Sequence, residues 1–246
     1  MKALYTLSLF LHIAFASIDV SPIPLYHYQH IASHPHQPQF FTQGLTYHQG
    51  HLYESSGLYG QSKLIQYQHG LLLPKISSLS PQIFAEGIAS NQSSLFQLTW
   101  KEVIALEHTK NSNRIIPQFN QGWGLCFDGG YFIQSDGSNR LYYRHQDLSP
   151  AFHINVHFKD SPVGGINDLM IYKGFILANI WYQDIIIIIL PYNGEVIGYI
   201  NCKDLRTITP YISSGDVLNG LCLLPNGNIL LTGKNWTYLY EIKLLI

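Results

Sequence analysis

Apolar and polar residues alternate along most of this chain in short runs broken by turn residues, a period-two pattern that predicts β-strands. One unit of the pattern recurs. A fifteen-residue segment occurs five times without internal gaps, at Gln43 to Gly57, Glu86 to Trp100, Trp123 to Gly137, Asn167 to Trp181 and Asn219 to Gly233. Each copy opens on a polar residue or Trp, then Gly or Asp, then Leu or Ile: QGLTY, EGIAS, WGLCF, NDLMI and NGLCL. The middles are His48-Gln49-Gly50, Asn91-Gln92-Ser93, Asp128-Gly129-Gly130, Tyr172-Lys173-Gly174 and Pro225-Asn226-Gly227, rich in residues that accept tight or left-handed backbone. An alternating strand follows each, so every copy predicts a β-hairpin.

Successive copies begin 43, 37, 44 and 52 residues apart, near the roughly 40 to 50 residues of a four-stranded propeller blade. Third strands are predicted at Lys63 to Gln68, Glu102 to Glu107 and Arg140 to Arg144. The pattern thus predicts an all-β fold, a five-bladed β-propeller in a single domain. An all-β sandwich would also give short strands with regular turns, but it leaves five equal hairpins unexplained. Ile23 to His30 alternates weakly ahead of the first copy and is placed to close the ring against the last unit. Ile185 to Leu190, bounded by Asp184 and Pro191, is too short to span a membrane and reads as a buried strand. Helical periodicity is absent over any long stretch.

Composition adds the compartment and removes some functions. Lys2 is followed by an uncharged, mainly apolar run that ends Ala14-Phe15-Ala16, which predicts a signal peptide over residues 1–16 and a mature domain over 17–246. That run is shorter than the roughly 20 residues of a membrane span, so the expectation is an exported protein, periplasmic or secreted, without a membrane anchor after cleavage. The three cysteines, Cys126, Cys202 and Cys222, allow at most one internal bridge and read as small buried apolar side chains. With 12% charged residues and a net charge of −1, nothing points to nucleic acid. Six histidines lie between His27 and His51, punctuated by proline, and are expected in solvated loops rather than around a metal.

In a propeller, equivalent positions of the innermost strands face one another across a channel, so the repeat itself locates a site. Its first position carries Gln43, Glu86, Trp123, Asn167 and Asn219, and its last carries Gly57, Trp100, Gly137, Trp181 and Gly233, followed by Lys234. If both ends lie on the same side, one mouth gathers a carboxylate, carboxamides, three of the four tryptophans and a lysine. An aromatic pocket with few polar groups suits a small ligand and would raise the pKa of a lone carboxylate, which makes Glu86 a candidate proton shuttle. The tryptophans could instead pack between blades, Asn219 could satisfy backbone at a turn, and Gly57, Gly137 and Gly233 read as structural.

Nine stretches, in order along the chain, carry a resemblance: FTQGL (Phe41 to Leu45), YESSGLYGQSKL (Tyr53 to Leu64), FAEG (Phe84 to Gly87), QLTWK (Gln97 to Lys101), GWGL (Gly122 to Leu125), SDGS (Ser135 to Ser138), ANIW (Ala178 to Trp181), DVLNG (Asp216 to Gly220) and TGK (Thr232 to Lys234). Together they resemble the plant and bacterial type of glutaminyl cyclase, a five-bladed propeller unrelated in fold to the zinc-dependent animal type. The resemblance implies a metal-independent, cofactor-free glutaminyl-peptide cyclotransferase, an aminoacyltransferase that turns an N-terminal glutamine into pyroglutamate with release of ammonia. Its catalytic carboxylate falls on Glu86, and its pocket falls on Phe41, Gln43, Phe84, Trp100, Trp123, Asn167, Trp181 and Lys234. The chain departs from the family at Ala85, where Gly is usual, at Gln121, where Glu is usual, and at Asn167-Asp168-Leu169-Met170, where the family reads Asn-Glu-Leu-Glu. Partners would be peptides or proteins beginning with Gln, with the enzyme a monomer. The rival reading is a non-enzymatic propeller that holds a sugar or a peptide in the same aromatic channel; a quinone- or metal-dependent enzyme lacks a ligand set.

Overall fold

The computed structural model describes residues 18–68, 73–109, 112–209, 213 and 215–245. The segment read as a signal peptide, residues 1–16, lies outside the described residues. After β1 (Leu25–Pro35), the first hairpin forms β2 (Thr42–His48) and β3 (His51–Ser56), and β4 (Lys63–Gln68) and β5 (Leu73–Ser78) extend it into a four-stranded antiparallel sheet. A second such sheet is β6 (Ala85–Ser90), β7 (Leu95–Thr99), β8 (Ile104–His108) and β9 (Asn113–Pro117), and a third is β10 (Leu125–Phe127), β11 (Phe132–Ser135), β12 (Arg140–Arg144) and β13 (Pro150–Asn155). The short ribbon β14 (His157–Phe158) and β15 (Ser161–Pro162) leads into β16 (Ile166–Tyr172), β17 (Phe175–Ile180), β18 (Ile185–Ile189) and β19 (Val196–Asn201). A six-residue helix that the pattern did not predict, α1 (Lys203–Ile208), precedes β20 (Leu218–Leu223), β21 (Ile229–Gly233) and β22 (Tyr238–Leu245).

The N-terminal strand joins the last two groups. β1 pairs with the last group, as expected of the segment Ile23 to His30, but reaches further: it runs antiparallel to β22 from His27 to Pro35, and parallel to β19 at Leu25 and Tyr26, which was not foreseen. The result is one eight-stranded sheet in the order β16-β17-β18-β19-β1-β22-β21-β20. First strands pack on one another in a cycle: β2 on β6, β6 on β10, β10 on β16, β16 on β20, and β20 back on β2. Glycine at the second repeat position permits that closeness. The Gly87 amide donates to the Trp123 carbonyl at 2.6 Å, and a Cβ on Gly124 would stand 2.1 Å from the Asn167 carbonyl oxygen.

Apolar side chains fill the spaces between successive sheets. Phe96 and Leu98 meet Leu125 and Phe132, Ile133 and Leu141 meet Ile166 and Ile176, Leu177 and Ile186 meet Leu221 and Ile229, and Leu230 and Leu239 meet Leu45 and Ile65. The all-isoleucine β18 is wholly buried, as a strand covered on both faces must be. Cys126, Cys202 and Cys222 are buried and unpaired. Two sequence expectations need correction. The third strand of the second sheet starts at Ile104 and not at Glu102, because Val103 takes a positive φ of 53° and turns the chain there. The histidines are not solvated loop residues as a group: His27, His30 and His34 belong to β1, and His36 is buried, with Nδ1 2.6 Å from the Trp236 carbonyl and Nε2 3.1 Å from Glu54.

Candidate active site

The ladder between the first two strands of four groups skips the residues that open each repeat. Register passes from Thr42 to Gly44, from Ala85 to Ile88, from Ile166 to Leu169 and from Leu218 to Leu221, leaving Gln43, Glu86, Asn167 and Asn219 in bulges. In the third group, β10 begins only after Trp123 and Gly124. A bulge bends its strand and re-aims a side chain, so the same irregularity turns these four first-position residues away from regular pairing, while Trp123 precedes the paired part of its strand. The repeat ends lie beside the repeat starts. The amides of Gly57, Trp100, Trp181 and Lys234 donate to the carbonyls of Phe41, Phe84, Gly165 and Val217 at 2.8, 3.0, 2.7 and 2.9 Å.

These positions assemble two aromatic walls. On one, the Phe84 ring meets Trp100 edge-on at 5.4 Å and Phe41 at 6.3 Å, and Tyr59 closes on Phe84 at 5.3 Å. On the other, Trp123 meets Trp181 at 5.3 Å, and Tyr182 lies against Trp181 at 4.7 Å. Gly137, with φ of +83°, leaves the space that the Trp123 ring fills, since a Cβ there would fall 2.7 Å from it. The fourth tryptophan belongs elsewhere: Trp236 is fully buried and donates to the Asp216 carbonyl at 2.9 Å.

Glu86 is buried beside this aromatic set, and its charged neighbours come from three other elements: Lys234 after β21, Glu102 before β8 and Asp168 in β16. Burial drives its pKa well above the usual carboxylate range; the Lys234 ammonium opposes the rise, while Glu102 and Asp168 add to it. Lys234 is itself buried, and desolvation lowers its pKa to about 8 against the pull of Glu86. Its Nζ stands 4.7 Å from the centre of the Phe41 ring, which links the pair to the aromatic wall.

The carboxamides have separate jobs. Asn219 donates from Nδ2 to the Thr42 carbonyl at 3.0 Å and to Gln43 Oε1 at 2.9 Å, so it holds Gln43 as well as backbone. Asn167 lends its carbonyl to the Ser135 hydroxyl at 2.7 Å. Its side-chain oxygen, like the Trp123 indole nitrogen, is buried without a hydrogen-bond partner among the described residues. Such atoms cost about 1–3 kcal/mol each when left unsatisfied.

Three residues that the repeat did not single out belong to the surroundings. Asp168 stands where the other copies have glycine, is completely buried, and accepts the Leu221 amide on Oδ2 at 2.8 Å, tying β16 to β20. Burial raises its pKa to about 8, opposed by the backbone amides of Leu221, Leu169 and Leu45. Its position in the repeat was visible, but reading Gly and Asp as interchangeable there concealed a buried carboxyl group between β16 and β20. Glu102 accepts from the Tyr59 hydroxyl at 2.7 Å and from the Phe84 amide at 3.3 Å, outside the repeated positions altogether. Tyr59 lies within YESSGLYGQSKL, which was the signal available for it.

The chain is therefore an all-β protein with a buried carboxylate and ammonium beside an aromatic cluster. It belongs to the glutamine cyclotransferase family, whose model matches residues 3–244. The glutaminyl-peptide cyclotransferase of Arabidopsis thaliana is 32% identical over 228 residues, covering 87% of this chain and 70% of that protein. The crystal structure of Myxococcus xanthus glutaminyl cyclase superposes with a TM-score of 0.84 at 33% identity, covering 90% of this chain and 98% of that one. Virginiamycin B lyase from Staphylococcus aureus, at 10% identity and a TM-score of 0.52 over 83% of this chain and 66% of that one, shares the fold alone.

Proposed function

We propose that this chain converts the N-terminal glutamine of peptides and proteins to pyroglutamate, with Glu86 as the proton shuttle. The observation that carries the assignment is the buried Glu86, within the electrostatic reach of a Lys234 ammonium that lies over the Phe41 ring of an aromatic cluster, in a member of the cyclotransferase family. In this reaction the substrate's α-amine attacks its own γ-carboxamide carbon. A nitrogen–carbon bond closes the five-membered ring, the carbon–nitrogen bond to the former amide breaks, and ammonia leaves. The α-amine gives up one proton and the leaving nitrogen takes up one, so a single carboxylate between the two balances the step without a protein nucleophile.

Burial suits Glu86 to that work. An α-amino group titrates near 8, and a carboxylate raised well above its ordinary range exchanges a proton with it at less cost than an exposed one. Phe41, Phe84, Trp100, Trp123 and Trp181 would hold the glutamine side chain folded toward its own amine and keep water from the amide carbon. Orientation of this kind is worth several kcal/mol. The unsatisfied Trp123 indole N–H and Asn167 side-chain oxygen offer a donor and an acceptor to the substrate's carboxamide and amine. Gln43, fixed by Asn219, and the Lys234 ammonium supply further donors.

The same reading takes the cycle of first strands as a five-bladed propeller, the eight-stranded sheet being two blades sewn together by β1. It makes the enzyme an aminoacyltransferase that needs no metal, exported and active as a monomer on peptides beginning with Gln. The deciding measurement is mass spectrometry of a Gln-initiated peptide incubated with the purified protein. Loss of one ammonia is expected, abolished in Glu86→Gln with the circular dichroism spectrum unchanged. Binding without ammonia release would favour a peptide-binding module instead.

A further inference from the structure

The cyclase chemistry needs only the terminal residue, yet a partly buried carboxylate, Glu102, is held beside Phe84 at the aromatic cluster. Glu102 follows Trp100 and Lys101 in the turn between β7 and β8, and it is only partly buried. One of its oxygens accepts the Tyr59 hydroxyl at 2.7 Å and the other accepts the Phe84 amide at 3.3 Å. Tyr59, 46% exposed, comes from the turn between β3 and β4 and lies edge-on against Phe84 at 5.3 Å. Two sheets thus hold this carboxylate in place, and the residue whose amide donates to it, Phe84, stands two positions before Glu86 on the approach to β6. Glu102 is near enough to Glu86 for its charge to help raise the Glu86 pKa.

A carboxylate has about four acceptor sites, and the two donors present use half of them. The free capacity of Glu102 is unlike the filled state of the buried acid Glu54, which takes Thr42, Tyr67 and His36. The neighbouring cation does not neutralise it: Lys101 lies over the Trp100 ring with Nζ 4.1 Å from the centroid, and the described ion pairs do not include Glu102. On the cyclase reading only the terminal glutamine enters the site, which leaves the substrate's second residue to meet the partly exposed groups at its edge.

We propose that Glu102, held by Tyr59 and the Phe84 amide, is a specificity-determining residue that favours a cationic side chain, Arg above all, directly after the N-terminal glutamine. Arg matches a carboxylate with two parallel N–H donors. The proposal rests on the cyclase reading and adds to it a preference at the second position. Rim ion pairs are weak, so the preference is a matter of about two- to fivefold.

The test compares kcat/KM for Gln-Arg-Ala, Gln-Ala-Ala and Gln-Glu-Ala with the purified protein at low salt. The wild type should favour Gln-Arg-Ala over Gln-Glu-Ala by about two- to fivefold, and added salt should shrink the ratio. Glu102→Gln should bring the ratio near one, whereas Tyr59→Phe, which keeps the charge, should retain most of it. Because any effect on Glu86 acts on all three peptides alike, the ratio isolates the rim contact. Equal rates for the three peptides, a preference for Gln-Glu-Ala, or a preference that survives Glu102→Gln would overturn the proposal. Failure of all three peptides to release ammonia would overturn the cyclase reading itself.

Discussion

Glu86 and Lys234 are buried together, and each changes what the other does. The ammonium lowers the proton affinity of Glu86, which burial, Glu102 and Asp168 raise. In Lys234→Met the opposing charge is gone, so the acidic limb of kcat/KM against pH should move to higher pH, while Lys234→Arg, which keeps the charge, should hold it close to the wild-type position. A profile that stays in place in Lys234→Met, with only the rate reduced, would mean that Lys234 shapes the pocket without tuning Glu86. The residues of this site were legible in the sequence where repetition marked them. Gln43, Glu86, Trp123 and Asn167 stand out as first positions and Trp100 and Trp181 as last ones, because regular pairing breaks down where each repeat opens, by a bulge in three of these groups and by a late strand start at Trp123. Glu102 was not legible, since its partners come from another sheet and from a backbone amide, neither of which leaves a spacing to read.

The elements were more legible than their ties to one another. Alternation gave the hairpins, β4 and β12 with their observed bounds, and the pairing of β1 with β22. What it misjudged was His36, because the groups that capture it are remote: Glu54 on β3 and the Trp236 carbonyl, 200 residues away. Both ring nitrogens face acceptors, an arrangement that only the imidazolium satisfies by donating from each. Burial works against that charge, but the Glu54 carboxylate, its hydrogen bond and the Trp236 carbonyl together raise the His36 pKa. A raised folded-state pKa gives stability that is fully present below the unfolded value, near 6.5, and is lost as pH climbs through the folded value. Thermal melts from acid to alkaline pH should therefore show Tm falling across that interval. In His36→Gln this slope should vanish, with a loss of about 3–5 kcal/mol at the acidic end because Glu54 is left buried without its cation. A Tm slope that persists in His36→Gln would place the titrating group elsewhere.

At the scale of the whole molecule, closure depends on one strand taken from the opposite end of the chain. β1 hydrogen-bonds to β22 on one side and to β19 on the other, so it covers two edges that would otherwise be exposed. The junction is packed as well as bonded. The Tyr26 ring lies over Gly198 so closely that a Cβ there would fall 2.2 Å from it, and Tyr26 and Tyr28 rest against the cluster around Leu177, Ile186 and Ile242. Tyr26→Ala should therefore lower stability by about 1–3 kcal/mol, the range of a lost, partly buried packing group, read as a lower denaturation midpoint in urea. It should leave kcat/KM per folded molecule unchanged, because the site residues lie at the starts of the first strands and just beyond the second, and β1 contributes none of them. Removal of β1 altogether should be far more damaging, since it frees the edges of both β19 and β22, and aggregation during refolding should accompany it. If Tyr26→Ala were instead to alter kcat/KM without moving the midpoint, the seam at β1 would be coupled to the pocket, and the ring could not be treated as a rigid frame around Glu86.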